Sequence, residues 1–273
     1  MRPGGVLAAA IGLGAKRSGD VYTPTDLALL AAVGDKLAGE LLRIDAAVHL
    51  RHERDMREAF RRYVPAPVAA RLTRGQAIEG GEREVSVLFV DIRGYSTLSE
   101  GRGAGAVFSL VNRYTEAVSA VIQRRGGTVV EFLGDGLMAV FGAPEPLPRH
   151  ARAAVEAARE VAGTVRAIAL APDDSRPGGS VPIAVGVGVA SGRAFVGNVR
   201  TNDRLVYTAI GDVVNLAARI ERLTRDLDAA VAIDASTHDG AGPSAAGFRR
   251  HPGVRIRGRV ETVDVWALPL AAV

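Results

Sequence analysis

No cysteine occurs in the 273 residues, which excludes disulfides and thiolate metal sites and suits a cytoplasmic protein. Long apolar runs are missing as well. The longest near the start is Val6 to Leu13, well short of the ~20 residues a spanning helix needs, so neither a membrane span nor a signal peptide is expected. Lysine is confined to positions 16 and 36; beyond them arginine carries every basic role. Blocks of a single charge sign are absent too. The net charge is +4, with basic and acidic residues interleaved, a pattern that argues against a nucleic-acid surface.

What remains is the composition of a globular protein. Apolar residues make up 48% of the chain and charged residues 23%, enough for a real core and too apolar for a disordered tail. The length allows one well-filled domain plus a smaller appendage.

Thr23-Pro24-Thr25-Asp26 reads as a helix start: a threonine cap, proline at the first helical position and an acid at the third. Behind it Leu30, Val33, Leu37, Leu41, Ile44 and Val48 fall on one seam. Two readings stand for that seam, packing against a core or pairing with a parallel helix across a dimer. The polar stretch from Leu50 to Arg62 favours the pair. His49 and His52 read as solvated side chains rather than metal ligands. Pro65 and Pro67 end the helix and open a linker running through Gly75, Gly80 and Gly81.

From Glu84 strands and helices alternate. Val85 to Val90 fits a central strand, Ala104 to Arg125 a helix, and Thr128–Leu133 and Leu137–Phe141 two strands around the hairpin signal Gly134-Asp135-Gly136. A helix over about Pro148 to Ala171, a turn-rich loop PDDSRPGGS and a strand Ile183–Ala190 follow. The expected class is α+β: a ferredoxin-like βαββαβ core with additional strands, its antiparallel sheet covered by helices on one face, behind an N-terminal helical linker.

Asp91 closes the first strand and Asp135 occupies the hairpin tip. Each taken alone is an ordinary cap or turn residue. If strand and hairpin are neighbours, however, the two carboxylates meet at one rim of the sheet. Paired carboxylates with few other ligands suit Mg²⁺, which keeps waters and takes phosphate oxygens, and two such ions can serve an in-line displacement. Further on, Asn215 and Arg219 lie four apart on one helix face, an amide and a guanidinium able to donate to a charged phosphate. The alternative for Arg219 is an ion pair with Glu221 or Asp212.

FVDIRGYSTLSE (89–100), EFLGDGLMAVFGAP (131–144) and YTAIGDVVNLAARIE (207–221) resemble, in order, the three signature blocks of class III adenylyl and guanylyl cyclases, with a likeness spanning about residues 80–268. MREAFRRYVPAPVAARL (56–72) is similar to the helix and linker that precede the catalytic domain in many bacterial members. Residues 1–45 look like the final strand and helix of a GAF domain. The expected division is a partial GAF-like fragment with its C-terminal helix (1–47), a helical linker (48–80) and a catalytic domain (81–268).

The resemblance implies that Asp91, Asp135 and the Ile92 carbonyl hold two Mg²⁺ or Mn²⁺ ions. It implies that Asn215 orients the ribose and Arg219 stabilises the transition state at the α-phosphate. In VRIRGRVETVDVWAL, Arg257 is the best candidate for holding the outer phosphates, with Arg255 and Arg259 as alternatives. It further implies a head-to-tail homodimer with sites at the interface, acting on ATP or GTP.

Glu131 and Thr208 occupy the family's two base-reading positions. An ionised Glu131 cannot donate to adenine and can accept from guanine, whereas Thr208 is usual in a bacterial adenylyl subgroup and serves either base. A protonated Glu131 would donate to adenine. ATP is placed ahead of GTP, giving 3′,5′-cyclic AMP and pyrophosphate. The rival classes are a diguanylate-cyclase-like or polymerase-like palm, which lacks the Asn215 and Arg219 helix in this register, and a silent scaffold, which would have lost a metal carboxylate or Arg219.

Overall fold

The computed structural model describes residues 12, 14–168, 183–200, 205–259 and 261–272. Apart from Gly12 and Gly14, the strand-like segment expected at residues 5–14 lies outside them, as does the loop 172–180. The chain divides into two compact units, Met1–Tyr63 and Val64–Val273. In the first, α1 runs unbroken over Pro24–Tyr63. The anticipated start holds: the Thr23 hydroxyl accepts from the Asp26 amide, and Asp26 accepts in return from the Thr23 amide at 2.8 Å. Along α1, Val33, Leu37, Leu41, Ile44 and Val48 are each 46–59% exposed. Position 48, where the helical linker was expected to begin, lies within this helix.

The second unit opens with a short helix α2 (Ala66–Thr73) and a long strand β1 (Gly81–Ile92). Helices α3 (Tyr95–Ser99) and α4 (Ala104–Arg124) lead to the hairpin β2 (Gly127–Leu133) and β3 (Gly136–Phe141). Then come α5 (His150–Arg166), β4 (Val185–Arg200), β5 (Leu205–Ile210), α6 (Asp212–Asp226), β6 (Ala229–Asp234), α7 (Ala235–Ala241), β7 (Arg249–Val254) and β8 (Val263–Pro269). The eight strands form one sheet in the order β2-β3-β1-β4-β6-β8-β7, with β5 paired to β4. This is the α+β, helix-covered sheet expected from the strand and helix pattern.

Two features refine that expectation. Among the described residues every pairing is antiparallel except β4 with β6. The chain passes from β4 through β5 and α6 before β6, and a crossover of that kind is what a parallel pair requires.

Helices also cover both faces of the sheet, not one. Successive β1 side chains alternate between two cores. Leu88, Val90 and Ile92 face the buried residues of α4 and α5, while Val85 and Val87 face Val213, Leu216, Ala217 and Ile220 of α6. Strand β4 makes room for α6 with glycine: a Cβ at Gly188 would overlap the Glu221 amide, and one at Gly186 would stand 2.9 Å from Glu221 Oε1. The α6 backbone therefore rests directly on the sheet.

Candidate active site

Asp91 is the penultimate residue of β1, opposite Gly186 of β4. On its other side β1 pairs with β3, Val90 opposite Leu137. The hairpin turn between β2 and β3, with Gly134 at φ +68, thus delivers Asp135 to the rim where Asp91 ends its strand. A Cβ at Gly136 would lie 2.9 Å from the Val90 carbonyl oxygen and 3.4 Å from Asp91 Oδ1, so glycine lets the hairpin close over the strand end. The two carboxylates predicted to meet do so. They line a cleft of about 200 Å³ together with Phe89, Leu133, Gly136, Ala218, Glu221 and Arg222.

This cleft is rich in acid. Burial, a hydrogen bond with Asp91 and the charge of Asp91 push the Asp135 carboxyl up to about 6. Burial and Asp91 likewise push Glu221, 6% exposed, up to about 7. Against these acids stands Arg225, whose Nη2 donates to Asp91 Oδ2 at 3.0 Å. Arg93, two residues beyond Asp91, turns away and donates to the Thr224 and Ala229 carbonyl oxygens, clamping the end of α6 to the end of β1. Burial lowers its guanidinium pKa. Among the described residues no three His, Cys, Asp or Glu side chains are grouped to hold a metal ion. Two carboxylates at one rim of the sheet suit a hard divalent cation that keeps waters and substrate oxygens.

The first turns of α6 carry the other expected residues. Asn215 is exposed and Arg219 half-buried. Arg219 lies against the turn after β7, where a Cβ at Gly258 would be 3.2 Å from its Nη2. Asp212 pairs instead with Arg259, and Glu221 faces the cleft, so neither takes Arg219 as a partner. Arg259 is thereby committed to bracing the turn. Arg257, exposed in that turn next to Gly258, and Arg255, also exposed, are left as phosphate candidates. Glu131 is exposed on β2 beside a register shift. Thr208, on β5 opposite Gly197, is half-buried.

None of Glu131, Thr208, Asn215, Arg219 and Arg257 lines the Asp91–Asp135 cleft. Within one chain, the cleft that holds Asp91 and Asp135 is thus lined by α6 residues other than Asn215 and Arg219. Sequence reasoning missed Arg93 and Arg225, and took Glu221 only as a possible partner for Arg219. A signal was present: Glu221 falls within the apolar stripe of Val213, Leu216, Ala217 and Ile220 on α6, where an acid is conspicuous.

The sequence profile of the family described as Adenylate and Guanylate cyclase catalytic domain matches residues 79–267. Adenylate cyclase 1 of Rhizobium meliloti is 31% identical over 220 residues, covering 78% of this chain and 30% of that protein. The chain spans between 30% and 38% of the length of the curated relatives it matches. Among solved structures, a bacterial light-regulated adenylyl cyclase superposes with a TM-score of 0.68 at 27% identity, covering 81% of this chain and 63% of that one. The guanylyl cyclase Cya2 superposes with a TM-score of 0.55 at 31% identity, covering 69% and 92%.

Proposed function

Because the chain belongs to the adenylate and guanylate cyclase catalytic domain family, we propose that two copies assemble head to tail and convert ATP to 3′,5′-cyclic AMP and pyrophosphate. The observation that carries the homodimer is that Asn215, Arg219 and Arg257 do not line the cleft that holds Asp91 and Asp135. Asp91 and Asp135 line that cleft, while Asn215 and Arg219 lie on α6 and Arg257 in the turn after β7 whose Gly258 approaches Arg219. A partner supplies the second group to the first.

In this reading the ribose 3′-oxygen forms a bond to the α-phosphorus as the bond to the β-phosphate bridging oxygen breaks. The 3′-hydroxyl proton leaves to solvent, and pyrophosphate departs. Two Mg²⁺ or Mn²⁺ ions, held by Asp91, Asp135 and the Ile92 carbonyl, would favour the 3′-alkoxide and balance phosphate charge. Asn215 of the opposing copy orients the ribose. Its Arg219 donates to the α-phosphate oxygens as they gain charge, which lowers the barrier more than it strengthens ground-state binding. Its Arg257 holds the outer phosphates.

ATP is favoured by the likeness to an adenylate cyclase and to a light-regulated adenylyl cyclase, together with Thr208. GTP is the second reading, carried by Glu131, whose carboxylate matches the guanine N1–H and exocyclic amine. Incubating the purified chain with ATP or GTP and Mn²⁺, then identifying the product, decides between them. Cyclic AMP as the main product supports the first reading, cyclic GTP-derived product alone the second, and no cyclic nucleotide from either overturns both. Glu131→Lys should shift the product ratio toward cyclic AMP.

A further inference from the structure

Asp91 shares its carboxylate with a cation that the chain itself supplies. The Arg225–Asp91 contact at 3.0 Å joins two partly exposed side chains, 54% and 30% accessible, and such pairs exchange at little cost. One helical turn earlier, Glu221 is 6% exposed and takes part in no ion pair among the described residues. The order glutamate then arginine four residues on is the favourable one for a pair along a helix. Glu221 is also within reach of the same strip of sheet, since Gly186, directly opposite Asp91, would place a Cβ 2.9 Å from Glu221 Oε1.

A guanidinium and a divalent cation repel, and both seek the Asp91 oxygens. Glu221 is not grouped with Asp91 and Asp135 as a third ligand, which leaves its charge to be balanced some other way. We propose that Arg225 exchanges counter-ions, releasing Asp91 and turning back to Glu221 when Asp91 takes a divalent cation. The proposal rests on the reading of Asp91 as a metal ligand. Arg225 then competes with metal, and Glu221 eases that competition by receiving the displaced guanidinium. The backbone between the two side chains stays put, because Arg93 Nη2 holds the Thr224 carbonyl oxygen at 2.8 Å. The exchange is a rotation of one side chain.

The test measures Mn²⁺ binding to the whole chain without nucleotide, from the loss of the free-ion paramagnetic resonance signal. The proteins are wild type, Arg225→Met, Glu221→Gln, the double variant and Asp91→Asn, with thermal melts to verify folding; Arg225→Gln replaces Arg225→Met if the latter does not fold. Losing the competitor should tighten binding about fivefold, the scale of one partly exposed ion pair. Glu221→Gln should weaken binding several-fold with Arg225 present and far less in the double variant. Arg225 variants that bind no tighter than wild type, or an equal Glu221→Gln penalty in both backgrounds, overturn the exchange. Unchanged binding by Asp91→Asn would instead remove the metal assignment on which it rests.

Discussion

Arg219 lies against Gly258, close enough that a Cβ there would stand 3.2 Å from its Nη2. Gly258 is at φ +79, a conformation that β-branched residues resist, and Arg259 next to it is tied to Asp212 at the start of α6. The turn is thus braced against the helix that carries Arg219. Gly258→Val should displace the guanidinium, lowering kcat about tenfold or more while leaving the nucleotide KM within about threefold. Steady-state kinetics check this, and a loss confined to KM would contradict a transition-state role for Arg219.

Mixing two inactive variants tests the separation of the residue groups. Asp91→Asn lacks one group and Arg219→Ala the other, so each alone should retain less than about 1% of wild-type activity. Combined and allowed to exchange subunits, they should recover about a quarter of it, since half the dimers are mixed and each of those holds one intact site. Mixed dimers without activity would show that both groups act within one chain.

The acid cleft predicts an unusual dependence of stability on pH. Glu221 ordinarily titrates near 4.5 and is pushed up to about 7, so the folded protein holds this proton more tightly than the unfolded chain. Its contribution to stability is complete below about 4.5 and is lost as pH rises through about 7. In divalent-free buffer, Glu221→Gln should therefore be more stable than wild type at pH 8, by about 2 kcal/mol relative to their difference at pH 5. Urea unfolding at the two pH values gives the comparison. Asp135, pushed up to about 6, adds an acid limb: Mn²⁺ binding should weaken as pH falls below 6.

Gly188→Ala is expected to be severely destabilising. The new methyl would overlap the Glu221 amide and stand 2.6 Å from the Ala217 carbonyl oxygen. These are backbone atoms and cannot swing aside, so α6 must lift off the sheet. A loss of at least about 3 kcal/mol, read from the denaturation midpoint, is expected. Gly192→Ala, whose nearest atoms are Val213 side-chain carbons at 3.7 Å, should change stability little.

Asp91 and Asp135 were legible because each is announced locally, one by the end of an apolar strand and the other by a Gly-Asp-Gly turn. Their meeting then follows from a hairpin lying beside its neighbouring strand. The second helical layer was not legible from periodicity, because an amphipathic stripe on α6 shows that a face is buried without showing against which side of the sheet. The alternating glycines at 186 and 188 held that information, since missing side chains on one face of a strand mark a close backbone approach. Arg225 escaped because contacts between residues 134 apart in sequence leave no local pattern. Arg259 was an alternative phosphate candidate through the family resemblance of its segment, and only the fold reveals its commitment to Asp212.

Dividing the proposed site between copies also makes output a matter of encounter. In dilute solution, where most chains are alone, the number of complete sites grows with the square of chain abundance, so halving the protein quarters its product. Whatever holds two copies together, the exposed stripe on α1 among the candidates, would then act as a volume control without touching the chemistry.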